Sequence, residues 1–185
     1  MKNCPQFFIA EFGAWKAGAI VVALNPTYSE RELEVALDST RASVVVVLTP
    51  FYERVKRSQG RTGVTRVIAA SIKEYLPPAL RVLFTWFKEK KEGHRITLAS
   101  GDLWFQDLLR AHRGAPRPAV EVRPHDHAVI LSSGGTTGTP SYIPLTRSDL
   151  ENWIETSCRS YAASGVAKGQ RMVSTYNAGP FVAGV

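Results

Sequence analysis

From Ile130 to Ser141 the chain reads I-L-S-S-G-G-T-T-G-T-P-S; after Val129, Ile130 and Leu131, eight of the next nine residues are Ser, Thr or Gly. A strand that runs into small hydroxyls and glycines builds little core, but it is well suited to holding phosphate. Glycine lets the backbone adopt positive φ and approach a ligand closely. Successive backbone N–H groups form an anion-binding nest, and Ser and Thr hydroxyls add donors. The candidate nucleotide-binding set is Ser132, Ser133, Gly134, Gly135, Thr136, Thr137, Gly138 and Thr139. Within it the Ser and Thr hydroxyls are candidate donors, and the glycines allow close backbone approach. The same hydroxyls can also cap turns. A plain flexible linker is the competing reading, but a linker is not normally flanked by a buried-type strand and an ordered segment.

The elements that must position this loop follow from the rest of the chain. Its 185 residues suffice for a domain with a substantial core, and 44% hydrophobic with 21% charged residues describes an ordinary globular chain. A formal charge of +7 suits anionic partners such as nucleotides, coenzymes or acidic lipid surfaces. No groove-reading or single-strand module accompanies it, so nucleic acid is not an expected partner. Cys4 and Cys158 stand alone, which indicates neither a metal site nor a disulfide framework. With no signal-peptide pattern at Met1, a reducing, cytoplasmic location is expected.

Asn3 and Pro5 can open a first helix, apolar over much of its cylinder and therefore expected to be well buried, with Gly18 ending it. Residues 19–24 read as a buried strand and Asn25-Pro26 as a turn. Ser29-Glu30-Arg31-Glu32 is a capping box for a helix that buries Leu33, Ala36 and Leu37. Strands are expected over 43–48 and 65–70, with a short helix over 51–57 between them. Helices alternating with all-apolar strands imply an α/β fold of βαβ units, a parallel sheet flanked by helices. No G-x-G-x-x-G follows any of these strands, which sets the dinucleotide-binding variant aside. Leu103 to Ala111 reads as a short amphipathic helix, and 113–123 as a connector. Residues 125–146 form the strand and loop unit, with a short return strand over 142–145. Ser148-Asp149-Leu150-Glu151 is a second capping box, for a helix through Ala163 ended by Gly165, and a last strand is expected over 171–175. His125 and His127 have no further ligand in sight and are expected in loop and strand.

The segment from Leu80 to Lys91 has a different character. Leu80, Leu83, Phe84 and Phe87 fall at helical spacing, flanked by Arg81, Lys88, Lys90 and Lys91. Such a helix can lie in a membrane interface or pack its apolar face on a core. The balance leans to the core.

The central loop resembles the phosphate-binding motif of the adenylate-forming (AMP-binding) superfamily of acyl-CoA synthetases, peptide-synthetase adenylation domains and luciferases. Ile130, Ser133, Gly134, Gly135, Thr136, Thr137, Gly138 and Pro140 match that motif, and Ser141 stands where it carries Lys. The likeness runs wider. Asn3-Cys4-Pro5-Gln6-Phe7, Lys16-Ala17-Gly18-Ala19, Leu24-Asn25-Pro26, Tyr28-Ser29-Glu30-Arg31-Glu32-Leu33-Glu34 and Tyr75-Leu76-Pro77-Pro78 are similar to long-chain fatty acid–CoA ligases. Leu145-Thr146-Arg147-Ser148-Asp149-Leu150-Glu151-Asn152-Trp153 looks more like phenylacetate–CoA ligases.

The resemblance implies a two-step reaction on a fatty or aryl acid. The carboxylate attacks the α-phosphate of ATP to give an acyl adenylate and pyrophosphate, and the thiol of coenzyme A then displaces AMP. Mg²⁺ and loop donors would share the charge of the phosphates, which the resemblance implies are contacted by the hydroxyls of Ser133, Thr136 and Thr137, with Gly134, Gly135 and Gly138 supplying backbone approach and mobility. It also implies that residues 1–185 are part of an N-terminal domain truncated at both ends. The catalytic residues are then expected beyond Val185, and the fragment alone is expected to be inactive. Phe181 is the nearest counterpart of a family His near the acyl and adenine pocket, although its segment reads equally well as a core turn. A non-catalytic nucleotide- or partner-binding module stays open beside the ligase, as does an aryl-acid ligase.

Overall fold

The computed structural model describes residues 4–133, 141–165, 167 and 168. They divide into two compact units: the described residues of 1–11 and 24–117, and those of 12–23 and 118–185. Each unit holds one three-stranded sheet.

In the first unit the capping box forms as read. Ser29 Oγ accepts the Glu32 backbone N–H at 3.3 Å, and Glu32 Oε2 accepts the Ser29 N–H at 2.8 Å. The Ser29 hydroxyl and N–H hold the Glu32 carboxyl below its ordinary range. Helix α2 (Glu30–Ser39) then buries Leu33, Ala36 and Leu37. Strand β2 (Val44–Leu48) pairs in parallel with β3 (Arg66–Ala70), from Val44↔Arg66 through Leu48↔Ala70. Helix α3 (Tyr52–Gln59) occupies the crossover between them, and a turn of 3-10 helix at Thr49–Phe51 leads into it. Parallel strands require such a crossover, because a tight turn cannot reverse the chain twice. Leu33, Leu37, Val47, Tyr52, Val55, Val64, Val67 and Ala69 make the resulting core. Arg54 ties α3 to the Asn25-Pro26 turn, donating to the Tyr28 carbonyl at 2.7 Å and the Pro26 carbonyl at 3.2 Å.

Four sequence expectations need correction in this unit and at its boundary. Leu103 and Trp104 are not helical: they form β4 (Leu103–Trp104), parallel to β3 through Ile68↔Leu103 and Ala69↔Trp104. Helix α5 (Phe105–Ala111) starts after it. The β3 edge supplies ladder partners that a helix N-terminus would lack. Helix α1 (Pro5–Lys16) is not well buried: Gln6 and Phe7 are its buried residues, and Phe12 is 55% exposed. Apolar residues around the whole cylinder cannot all face one core, and Gln6 takes a buried place because its Nε2 donates to the Ser71 carbonyl at 2.7 Å. The strand read over 19–24 contracts to β1 (Val21–Ala23), with Ile20 exposed. Helix α4 (Pro78–Phe87) buries only Phe84 of its apolar stripe, so the core reading of that face fails. Phe84 meets the buried His94 ring edge-on, with centroids 5.0 Å apart.

A buried polar group closes the first unit. Tyr52, 1% exposed, donates its hydroxyl proton to Asp102 Oδ2 at 2.5 Å and accepts the Ala99 N–H at 2.8 Å. Lys56 Nζ lies 2.9 Å from the same carboxylate oxygen. Burial pushes the Tyr52 phenol up to about 12, with Asp102 adding to the shift. Burial by itself would raise Asp102 too, but the hydrogen bonds from Tyr52 and Lys56 outweigh it and hold the carboxyl below its usual range. A carboxyl depressed on folding stabilises above its unfolded pKa of about 4, and that stabilisation disappears as pH falls through the folded value. A phenol raised on folding stabilises below its unfolded pKa of about 10 and ceases to do so on the way to its folded value. Asp102→Ala is expected to destabilise this unit by about 2–4 kcal/mol, since it leaves the buried Tyr52 hydroxyl proton without its acceptor and takes the carboxylate from Lys56, which among the described residues keeps only Gln59. Amide exchange of β2 and β3 at pH 7 reads that loss, and the difference from the parent should shrink below about pH 4.

Candidate functional site

Strand β5 (His127–Ser133) leads into the Gly-rich stretch and is the middle strand of the second unit's sheet, in the order β1, β5, β6 (Ser141–Thr146). β1 runs parallel to it through Val21↔Val129, Val22↔Ile130 and Ala23↔Leu131. β6 (Ser141–Thr146) runs antiparallel through Val129↔Leu145, Ile130↔Pro144, Leu131↔Ile143, Ser132↔Tyr142 and Ser133↔Ser141. Proline cannot donate to a ladder, and at Pro144 it sits on a strand at the end of the sheet order, where that is tolerated. The loop therefore leaves the carboxyl end of a parallel pair, the edge at which open α/β sheets bind ligands.

Ser132 and Ser133 are the last two residues of β5, with their backbones in the ladder. Gly134, Gly135, Thr136, Thr137, Gly138 and Thr139 lie outside the described residues. So do residues 171–175 and Phe181. The geometry of the flanks still constrains the stretch. Residues 134–140 are seven in number and join two paired positions, about 5 Å apart between neighbouring strands. Two residues suffice for such a junction, so the chain here is longer than strand reversal requires.

The base of this hairpin is held by short-range bonds. Asp126 Oδ2 accepts the Arg123 N–H at 2.7 Å, and the Asp126 N–H returns to the Arg123 carbonyl at 3.1 Å. The Pro124 carbonyl accepts both the N–H and the hydroxyl of Ser148, at 3.1 and 3.0 Å. Helix α6 (Arg147–Ala163) begins at Thr146, not Ser148: Asp149 N–H donates to Thr146 Oγ1 at 3.2 Å, and Thr146 N–H donates to Asp149 Oδ2 at 2.8 Å. The Thr146 N–H and hydroxyl hold the Asp149 carboxyl below its ordinary range. Two overlapping capping patterns, Thr146-x-x-Asp149 and Ser148-x-x-Glu151, compete here. The first prevails because Thr146 is the end of β6, while Ser148 is engaged with Pro124. Gly165 ends α6 at φ +87, as expected.

Strand β5 has one further tether that no local pattern announces. Trp15 Nε1 donates to the Ala128 carbonyl at 2.8 Å, across 113 residues. The ladder with β6 shifts register between His127 and Val129, which makes Ala128 the extra residue, and an extra residue leaves its backbone groups out of the ladder. Trp15 is brought there by the end of α1. Gly18 at φ +72 closes the helix, with Gly18 N–H on the Trp15 carbonyl and Ala19 N–H on the Ala14 carbonyl at 3.0 and 2.9 Å. A Cβ at Gly18 would fall 2.6 Å from Val120 Cγ1, so the position excludes a side chain on both counts.

Arg147, the cation nearest in sequence to Ser141, has its Nε 3.1 Å from Glu151 Oε1 and is thereby engaged on α6. His125 and His127 gather no further ligands: among the described residues no group of three or more His, Cys, Asp or Glu could hold a metal ion.

A family model described as "AMP-binding enzyme" matches residues 1–179. A long-chain fatty acid–CoA ligase of Bacillus subtilis is 29% identical over 151 residues, covering 81% of this chain and 27% of that protein. The chain therefore spans about a quarter of the length of that relative. Among solved structures, a long-chain fatty acid–CoA ligase of Archaeoglobus fulgidus superposes with a TM-score of 0.62 at 23% identity, over 90% of this chain and 27% of the other. An anthranilate CoA ligase in complex with anthranoyl-AMP gives 0.61 at 22% identity, over 80% of this chain and 24% of the other. These two likenesses show the fold alone: the α/β arrangement is one that this chain shares with part of each of those ligases.

Trp15→Phe preserves an aromatic ring and removes the donor to Ala128. Amide exchange at residues 129–131 is expected to accelerate by an amount equivalent to about 1–2 kcal/mol, while exchange in β2 and β3 stays unchanged.

Proposed function

Because the chain belongs to the AMP-binding enzyme family, we propose that it is the nucleotide-binding part of an acid–CoA ligase, acting on a fatty acid. A carboxylate is a poor acyl donor because its oxygen leaves badly. In the proposed first step the acid's oxygen attacks the α-phosphorus of ATP, the bond to the bridging oxygen breaks, and pyrophosphate departs with its electron pair. In the second step the coenzyme A sulfur attacks the acyl carbon and AMP leaves, giving the thioester. The contribution assigned to this chain is electrostatic: hydroxyls of Ser133, Thr136 and Thr137, with backbone N–H groups at Gly134, Gly135 and Gly138, donate to the phosphate oxygens. Preorganised donors of this kind act without reorganising as charge develops.

The observation that carries this reading is the Ser133↔Ser141 pairing. It holds both ends of a Gly/Ser/Thr stretch at the carboxyl end of a parallel pair, with more chain between them than a turn needs. The fatty-acid class is supported by the name of the Bacillus subtilis relative. An aryl acid is the alternative suggested by the anthranilate CoA ligase. A non-catalytic nucleotide-binding module is favoured by one feature: Ser141 stands where the motif carries its Lys, and Arg147 is paired with Glu151. A reducing, cytoplasmic setting accords with the lone cysteines.

If the stretch binds phosphate, ATP titration of the labelled chain shifts amide resonances of residues 132–139, and Gly135→Val abolishes those shifts. An unaltered titration in that variant refutes the assignment. The 185-residue chain, which spans about a quarter of the length of the Bacillus subtilis relative, is expected by itself to catalyse no acid-dependent exchange of pyrophosphate into ATP. Robust exchange by this polypeptide would overturn that expectation.

A further inference from the structure

Helix α4 presents its more apolar side to solvent. At 100° per residue, Ala79, Leu80, Val82, Leu83, Trp86 and Phe87 cover an arc of about 160°, with Arg81, Thr85 and Lys88 on the opposite side. Leu80, Val82, Leu83, Trp86 and Phe87 are each more than half exposed, Trp86 at 78%. Phe84, at the border of the arc, is the residue that anchors the helix to the first unit. An ordinary surface helix has the reverse arrangement, so this face is built for a surrounding other than water. No helix among the described residues is long and apolar enough to cross a membrane, and α4 has only the ten residues Pro78–Phe87.

The charges around the face select the kind of surrounding. Residues 73–95 carry six basic and three acidic side chains, with no acid between Glu74 and Glu89. The acids are engaged: Glu74 pairs with Arg81 at 2.9 Å, Glu92 lies 3.4 Å from Lys88, and Glu89 pairs with Lys73. Lys90 and Lys91, just past the helix end, are exposed and form no ion pair among the described residues. An apolar arc with an aromatic at its edge and unpaired lysines beside it is complementary to a bilayer with anionic headgroups. We infer that α4 lies in the surface of an anionic lipid bilayer, with Leu83, Trp86 and Phe87 at acyl depth and Lys90 and Lys91 among the headgroups. The inference deepens the fatty-acid reading, since an acid of that class partitions into bilayers. Its geometry does not depend on that reading.

The test is sedimentation of the 185-residue chain with vesicles of phosphatidylcholine alone and of phosphatidylcholine with 30–40% phosphatidylglycerol, at roughly 50 mM and 500 mM salt. Binding is expected to the anionic vesicles at low salt and to weaken at least tenfold at high salt. Trp86 fluorescence should shift to the blue and be quenched by brominated acyl chains, a response lost in Trp86→Phe. Trp86→Ser with Phe87→Ser should remove binding, and Lys90→Glu with Lys91→Glu should remove its dependence on anionic lipid. Both pairs are solvent-exposed, so circular dichroism should match the parent. A chain that stays in the supernatant, or a Ser/Ser variant that binds as well as the parent, overturns the inference. So does a lipid-independent dimer by sedimentation equilibrium that the Ser/Ser variant abolishes, since the face would then belong to a second copy. ATP-induced shifts at residues 132–139 are read separately, so failure on vesicles and failure of the nucleotide assignment are distinguishable.

Discussion

The second unit depends on the backbone pairing of β5 on both edges. Residues 129–131 are bonded to β1 on one side and β6 on the other, and the β6 ladder continues to Ser133↔Ser141. A strand paired on both sides has little freedom to slide, because a slip of one residue would turn every side chain to the other face. The point at which the Gly-rich stretch leaves the sheet is fixed by that pairing. The capping box at Thr146, the Asp126 turn and the Trp15 bond to Ala128 all act on the same strand pair from its opposite end.

The first unit uses the same α/β logic differently. Its strands β2, β3 and β4 are all parallel, and its buried residues converge on Tyr52 and Asp102. A carboxylate shielded from water is tolerated there because Tyr52 and Lys56 both reach it. That network joins α3 to the turn at 99–102 just ahead of β4, so a polar contact sets where a two-residue strand can start. The same unit leaves the broad face of α4 exposed, and hydrophobicity therefore does different work on the two sides of one fold.

Membership of the AMP-binding enzyme family agrees with this division between scaffold and loop. At identities of 22–23% the solved relatives still share the fold. What such distant sequences must preserve is the pattern of apolar strands and caps, and many residue choices satisfy it. A single exchange such as Ser141 for the Lys of the resembled motif removes one positive charge without disturbing the ladder that Ser141 begins.

Features encoded within a few residues were determined by the sequence itself. The Ser29–Glu32 box, the valine run of β2 and the end of α1 at Gly18 all rest on local chemistry: a hydroxyl three residues before a carboxylate, β-branched side chains and positive φ. Tertiary structure alone decided matters in which a residue's partner is remote. The Trp15–Ala128 bond spans 113 residues. Leu103 and Trp104 became a strand because the β3 edge was waiting for them. Thr146 displaced Ser148 as the cap because β6 ends there. The apolar pattern of α4 was legible, but which way that face points was not, since periodicity records that a helix has two sides and only its neighbours decide which one meets water.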